Sequence, residues 1–105
     1  MNQLSLFQRT GPITRKFWEF HLANPQVFKE LMRLALDLKR KGVMKYGIGS
    51  LFEVIRWHRA METNGSVFKL NNNYRALYAR ELMKYEPKLD GFFEIRSSPN
   101  PQVIE

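Results

Sequence analysis

Apolar residues recur at three- and four-residue spacing over most of this chain, and strict alternation is rare. From Asn24-Pro25 onward, Val27, Phe28, Leu31, Leu34, Ala35 and Leu38 fall on one face of a helix. Pro25 suits the first helical position, where its missing N–H costs no bond, and Asn24 can cap it. Lys39-Arg40-Lys41 bring cations to the negative end of the helix dipole. Gly42 can then take the left-handed conformation that ends the helix. A shorter helix is predicted before it, over about 14–22, with Thr14 as N-cap. Phe17, Phe20 and His21 share its face, with Trp18 beside them.

Ser50-Leu51-Phe52-Glu53 reads as a capping box, in which the Ser oxygen accepts from the fourth residue's N–H and the Glu reaches back. It predicts a helix to about Thr63 with Leu51, Val54, Ile55, His58 and Met61 inward. Arg56 and Arg59 fall off that stripe and are expected to be exposed, and Asn64-Gly65 stops the helix. Asn71-Asn72-Asn73 then offers side-chain acceptors for a last helix over 74–85. Its stripe is Tyr74, Leu77, Tyr78, Leu82 and Tyr85, and Glu86-Pro87 ends it, because a residue before proline avoids the helical region. Short β segments are predicted at 67–70 and 92–96, while 43–48 reads either as a short strand or, from Gly47 and Gly49, as a tight turn.

This order predicts a mainly α fold with a small β element, a winged-helix-like domain of three or four helices over 13–96. A flexible arm over 1–12 ends at the Gly11-Pro12 breaker, and residues 97–105 form a disordered tail. The match to a winged helix is incomplete. One clear strand follows the last helix where a full wing needs a hairpin, and the 63–71 connection exceeds a tight helix-turn-helix turn.

Composition narrows the function. At 105 residues the chain fits one domain that can bury a core without staples. Having no Cys excludes disulfides, thiolate metal sites and a Cys nucleophile. No apolar run is long enough to span a membrane, and the N-terminus lacks a signal pattern, so a cytoplasmic location is expected. The net charge of +7 is uneven. Residues 39–59 carry six basic side chains against Glu53 alone, whereas 60–105 are neutral overall. A concentrated basic patch attracts polyanions; dispersed charge mostly aids solubility.

Two groups of residues carry this reading. Lys39, Arg40, Lys41 and Lys45 with Tyr46, extended by Arg56 and Arg59, are candidates to grip phosphates, which supplies affinity without sequence choice. Asn72, Asn73, Arg75 and Arg80 lie on the helix expected to take the recognition position, where Asn can pair with adenine and Arg with guanine. The same Asn run equally serves as a cap and turn, and Trp18 and Trp57 sit beside apolar stripes as core residues would. Catalytic patterns are thin. The Gly-rich stretch 42–50 lacks the Lys before Ser of a phosphate loop. Asp90 with Glu94-Ile95-Arg96 ends in Arg where a nuclease metal site has Lys, and two isolated His suggest no metal site. No catalytic residue, metal or cofactor is therefore expected.

The run Phe17-Trp18-Glu19-Phe20-His21, then Leu51 to Trp57, Phe68 to Tyr74, and Gly91-Phe92-Phe93-Glu94 resembles a family of short uncharacterised proteins encoded by bacteriophages and prophages. The resemblance covers about 14–96 and implies a phage or bacterial cytoplasmic setting; it transfers no activity. The expected function is that of a small non-enzymatic nucleic-acid-binding protein, with double-stranded DNA the partner and a regulatory role open. The alternative is an adaptor or inhibitor whose basic surface meets a host protein. A homodimer would suit a reader of paired half-sites, though no heptad demands one.

Overall fold

The computed structural model describes the backbone of residues 3–62 and 69–94, and the side chains of those from residue 11 onward. Four helices run in order: α1 (Gln3–Ala23), α2 (Pro25–Arg40), α3 (Ile48–Glu62) and α4 (Arg75–Tyr85). A 3-10 turn, Asn72–Tyr74, leads into α4, and a second, Pro87–Leu89, follows it. Helical backbone thus begins at Gln3, well before Thr14. It is interrupted at Gly11, whose φ of 86° and ψ of −177° lie outside the helical region, and Pro12 opens the second limb. Thr14 is therefore a buried residue inside a helix and not its cap.

The second helix forms where the pattern places it. Val27, Leu31 and Ala35 are fully buried, with Phe28, Leu34 and Leu38 packed at the core's edge. Its two ends are built differently. The Asn24 side chain makes no N-terminal cap; its Nδ2 donates instead to Phe20 O at 3.0 Å, closing the end of α1. At the other end, Gly42 N donates to Lys39 O and Val43 N to Leu38 O, both at 3.0 Å, with Gly42 at φ 93°. This paired pattern is a Schellman motif, and Leu38 and Val43 meet the core as it requires.

Helix α3 starts three residues earlier than a capping box at Ser50 would allow. The Gly47 carbonyl accepts from Ser50 N at 3.1 Å and Leu51 N at 3.4 Å. Glu53 pairs with Arg56 and does not reach back. Before α4, Asn71 does cap: its side chain accepts from Asn73 N at 2.8 Å. Glu86 closes α4, and its carboxylate accepts from Lys88 N in the next turn.

Among the described residues no strand forms, so the small β element and a wing have no counterpart there. Residues 43–47 follow the Schellman turn without alternation: Val43 is half-buried, while Met44, Lys45 and Tyr46 are all exposed. Phe92 and Phe93 are both buried, which a strand's two faces forbid on a single-sided sheet. These two segments meet through one bond, Tyr46 N to Phe92 O at 3.1 Å, where a sheet needs a ladder. Residues 67–68 and 95–96 of the other expected β segments, the helix stop at Asn64-Gly65 and the 97–105 tail lie outside the described residues.

The core gathers on an aromatic layer. Tyr78 of α4 is fully buried, with its ring edge-on to Phe17 of α1 at 4.8 Å and to Phe52 of α3 at 5.9 Å. Phe17 also meets Tyr74 edge-on at 5.7 Å. His21 stacks on Phe17 and is edge-on to Phe28 and Tyr78. Three residues expected inside lie outside: Met61, Trp57 and Tyr85 are 62%, 61% and 72% exposed.

Two polar atoms in this layer, Tyr78 Oη and His21 Nδ1, are buried without a hydrogen-bond partner among the described residues. Burial, with Tyr74 adding to it, pushes the Tyr78 phenol well above its usual range. An unpaired buried hydroxyl costs the fold its desolvation. Tyr78→Phe is expected to raise the urea midpoint, by about 1 kcal/mol of stability; a clear fall would show that the hydroxyl is bonded in solution. Burial also pushes the His21 imidazole below its ordinary 6.5, against a smaller upward pull from Glu81. The unfolded chain then takes its proton first as pH falls. Stability from this group is complete above 6.5 and declines toward the folded value. Urea midpoints between pH 7.5 and 5.5 should fall less in His21→Phe than in the unaltered protein.

Candidate nucleic-acid interface

The turn closing α2 puts its cationic C-terminus beside the start of α3. Arg40 and Lys41 are exposed and Lys39 half-buried. Arg40 pairs with Asp37 one turn back, and Asp37 also receives Arg33 at 3.3 Å. Among the described residues no carboxylate pairs with Lys39, Lys41 or Lys45. Lys45 projects from the 41–47 connection, which is held at one end by the Schellman turn and at the other by the Tyr46–Phe92 bond.

The N-terminus of α4 joins the same end of the bundle. A β-carbon placed on Gly49 would lie 3.4 Å from Arg75 Nη1 and 3.6 Å from its Cδ, so the Arg75 side chain lies against the first turn of α3. Arg75 Nε donates to Asn72 O at 3.0 Å, which fixes the root of an otherwise exposed guanidinium. Lys39, Arg40, Lys41 and Lys45 thus follow one another along the end of α2 and the connection into α3, and Arg75 lies against the first turn of α3. The first turn of α3 adds the partial positive charge of a helix N-terminus beside the negative C-terminus of α2 that Lys39, Arg40 and Lys41 offset.

Arg56 and Arg59, expected to extend the grip, are engaged within the protein. Arg56, 25% exposed, donates to Glu53 and to the Leu70 carbonyl at 2.5 Å each, and to Asn72 Oδ1 at 2.6 Å. Its guanidinium also lies over the Phe52 ring at 5.8 Å. It fastens the 70–72 segment to α3. Arg59, 21% exposed, pairs with Glu62 at 3.2 Å and with Glu30 of α2 at 3.8 Å; Glu30 also contacts His58 Nδ1 at 2.8 Å. These contacts tie α2 to α3. Asn72 is spent on Arg56, Asn73 is exposed beside its cap, and Arg80 is half-buried on α4. An open depression of about 490 Å³ lies between Phe20, Tyr74 and the 69–71 segment, with Arg56 at its wall.

Sequence reasoning missed three features of these elements. Gly49 as the seat of Arg75 depends on a tertiary contact between two helices. Trp57 and Met61, four positions apart on α3, form an exposed apolar pair. Met44 stands outward between Lys41 and Lys45, while Tyr46, expected with the phosphate grip, is exposed beside Lys45. Among the described residues no three His, Asp or Glu side chains converge on one point, and no helix is long and apolar enough to cross a membrane.

Comparison of the chain with protein-family models, with curated proteins and with solved structures finds no match.

The division between engaged and outward cations has a direct test. Arg56→Ala removes three hydrogen bonds and should lower stability by about 2 kcal/mol in urea unfolding. Lys45→Ala, at a fully exposed position, should change stability by less than about 0.5 kcal/mol.

Proposed function

We propose that this protein is a non-enzymatic binder of nucleic acid, with double-stranded DNA its partner and a regulatory role in a phage or bacterial cytoplasm. The observation that carries the reading is the cationic end of the bundle. Lys39, Lys41 and Lys45 have no carboxylate partner among the described residues, and Arg75 lies against the first turn of α3, the helix that their connection enters. Phosphates would displace only water and counterions from these lysines. Arg75 and Asn73 open α4 as residues that reach base edges do in a recognition helix, the winged-helix-like part of the reading. Arg56, Arg59, Asn72 and Arg80 act in this scheme through the fold they hold and not through direct contact.

Salt dependence tests the assignment. A labelled random duplex titrated at several salt concentrations should give a slope of log K against log salt of roughly −3 to −4. That corresponds to four direct phosphate contacts. Replacing Lys39, Arg40 and Lys41 together by Ala should weaken binding to every sequence and flatten the slope. Arg75→Ala should instead relax sequence preference. Unchanged affinity in both variants would remove the site.

A second reading is favoured by Trp57 and Met61, since exposed aromatic side chains mark protein-binding hot spots. On it the protein is an adaptor or inhibitor whose basic end meets an acidic host protein. A stoichiometric protein partner that survives nuclease treatment of a lysate would put this reading first.

A further inference from the structure

Resting on the DNA-binding reading, we propose that Met44 and Tyr46 form an apolar wedge that enters the base stack of a bound duplex. Met44 is 74% exposed and Tyr46 39%, and they flank Lys45 on a connection of seven residues. Single exposed apolar side chains need no explanation. This pair differs in its setting. The Schellman turn sends Val43 inward and Met44 outward, and the Tyr46–Phe92 bond holds the far side. Bonds at both ends shorten the free part of the connection, which lowers the chain entropy lost when it binds.

Charge selects the occupant. Lys41 and Lys45 lie next to the pair in sequence, with Lys39 and Arg40 in the preceding turn, so a surface meeting Met44 also meets this cluster of cations. A duplex offers that combination: phosphates along two rims, and between them base steps that open to an apolar side chain. Proteins that insert Met, Leu or Phe at such steps unstack them and kink the helix, and the bend wraps more of the duplex onto the protein. A bilayer fits less well. Met44 and part of one Tyr ring offer little apolar surface, and stable membrane anchoring takes stronger signals. The wedge also gives the connection a role that Lys45 alone does not.

The test uses the full chain and a random duplex carrying 2-aminopurine, with fluorophores at both ends to report bending. The expected result is salt-dependent binding, a rise in 2-aminopurine emission and closer duplex ends. Met44→Ala should lose the emission rise and bind roughly tenfold more weakly, with the salt slope unchanged. Tyr46→Ala should behave likewise, because its backbone bond to Phe92 does not need the ring. Salt-dependent binding without any emission change in the unaltered protein overturns the wedge and leaves the DNA reading standing. Absence of duplex binding at low salt removes both. Vesicles containing phosphatidylserine serve as a parallel arm: Met44-dependent binding to them, without duplex unstacking, assigns the loop to a lipid surface and overturns the proposal.

Discussion

Burial of the Tyr78 ring is the constraint on which the rest of the molecule depends. It meets Phe17 of α1 and Phe52 of α3 edge-on from its place on α4, so three helices are registered at one side chain. Each edge-on pair adds about 0.5–1.5 kcal/mol beyond area burial, and the arrangement tolerates little rotation. Tyr74, one turn earlier, repeats the contact with Phe17. With the Asn72–Tyr74 turn and the first turn of α4 both packed on Phe17 of α1, the start of α4 is held against the core. That position lays Arg75 against Gly49. The cationic end is thus a consequence of aromatic packing in the core, even though none of its own residues belongs to that core.

Within the basic stretch the two kinds of cation have separate tasks. Arg40, Arg56 and Arg59 each face a carboxylate: Asp37, Glu53, and Glu30 with Glu62. Arg56 additionally bridges to a backbone carbonyl and an Asn side chain. A planar guanidinium with five donors suits such work, since one side chain can satisfy several acceptors at fixed angles. Lysine offers a compact, strongly hydrated charge that gains little from partial burial. The lysines at 39, 41 and 45 accordingly stand without a carboxylate partner among the described residues, Lys39 and Lys41 at the negative end of the α2 dipole. Net charge alone would have counted both kinds equally as affinity.

The helices were legible wherever their signals were local. In α2 the apolar face, Pro25 and Gly42 all act within a few residues, and each is found in its expected role. Asn71 as a cap is equally local. Errors arose where a second partner, near or distant, competes for the same group. Arg56 lies off the apolar stripe of α3, yet its acceptors are 14 and 16 residues away, beyond the reach of periodicity. Ser50 and Glu53 match a capping box, but the Gly47 carbonyl starts the helix earlier and Glu53 takes Arg56. The β segments failed for a related reason. Phe92-Phe93 looked like strand from residue type, whereas both rings fill the core below the Pro87–Leu89 turn. Of the candidate interface, the cluster at 39–45 was visible as charge, while its junction with Arg75 through Gly49 was not.

A concentrated charge has meaning only at short range. At physiological salt the Debye length is about 8 Å, so lysines at the bundle end act on a partner only once it is nearly in contact. Their mutual repulsion is borne without a compensating carboxylate, although Asp37 and Glu53 show that acids were placed nearby when the fold required them. The cheaper arrangement for stability alone would pair the lysines as the arginines are paired. Keeping them apart from any acid preserves their capacity to release counterions to a polyanion, which is where the free energy of phosphate binding resides. Fixing the 41–47 connection at both ends works in the same direction, because charges held in place lose less entropy on contact than charges on a loose loop. The stability forgone at this end and the rigidity of its connection therefore point to the same kind of partner.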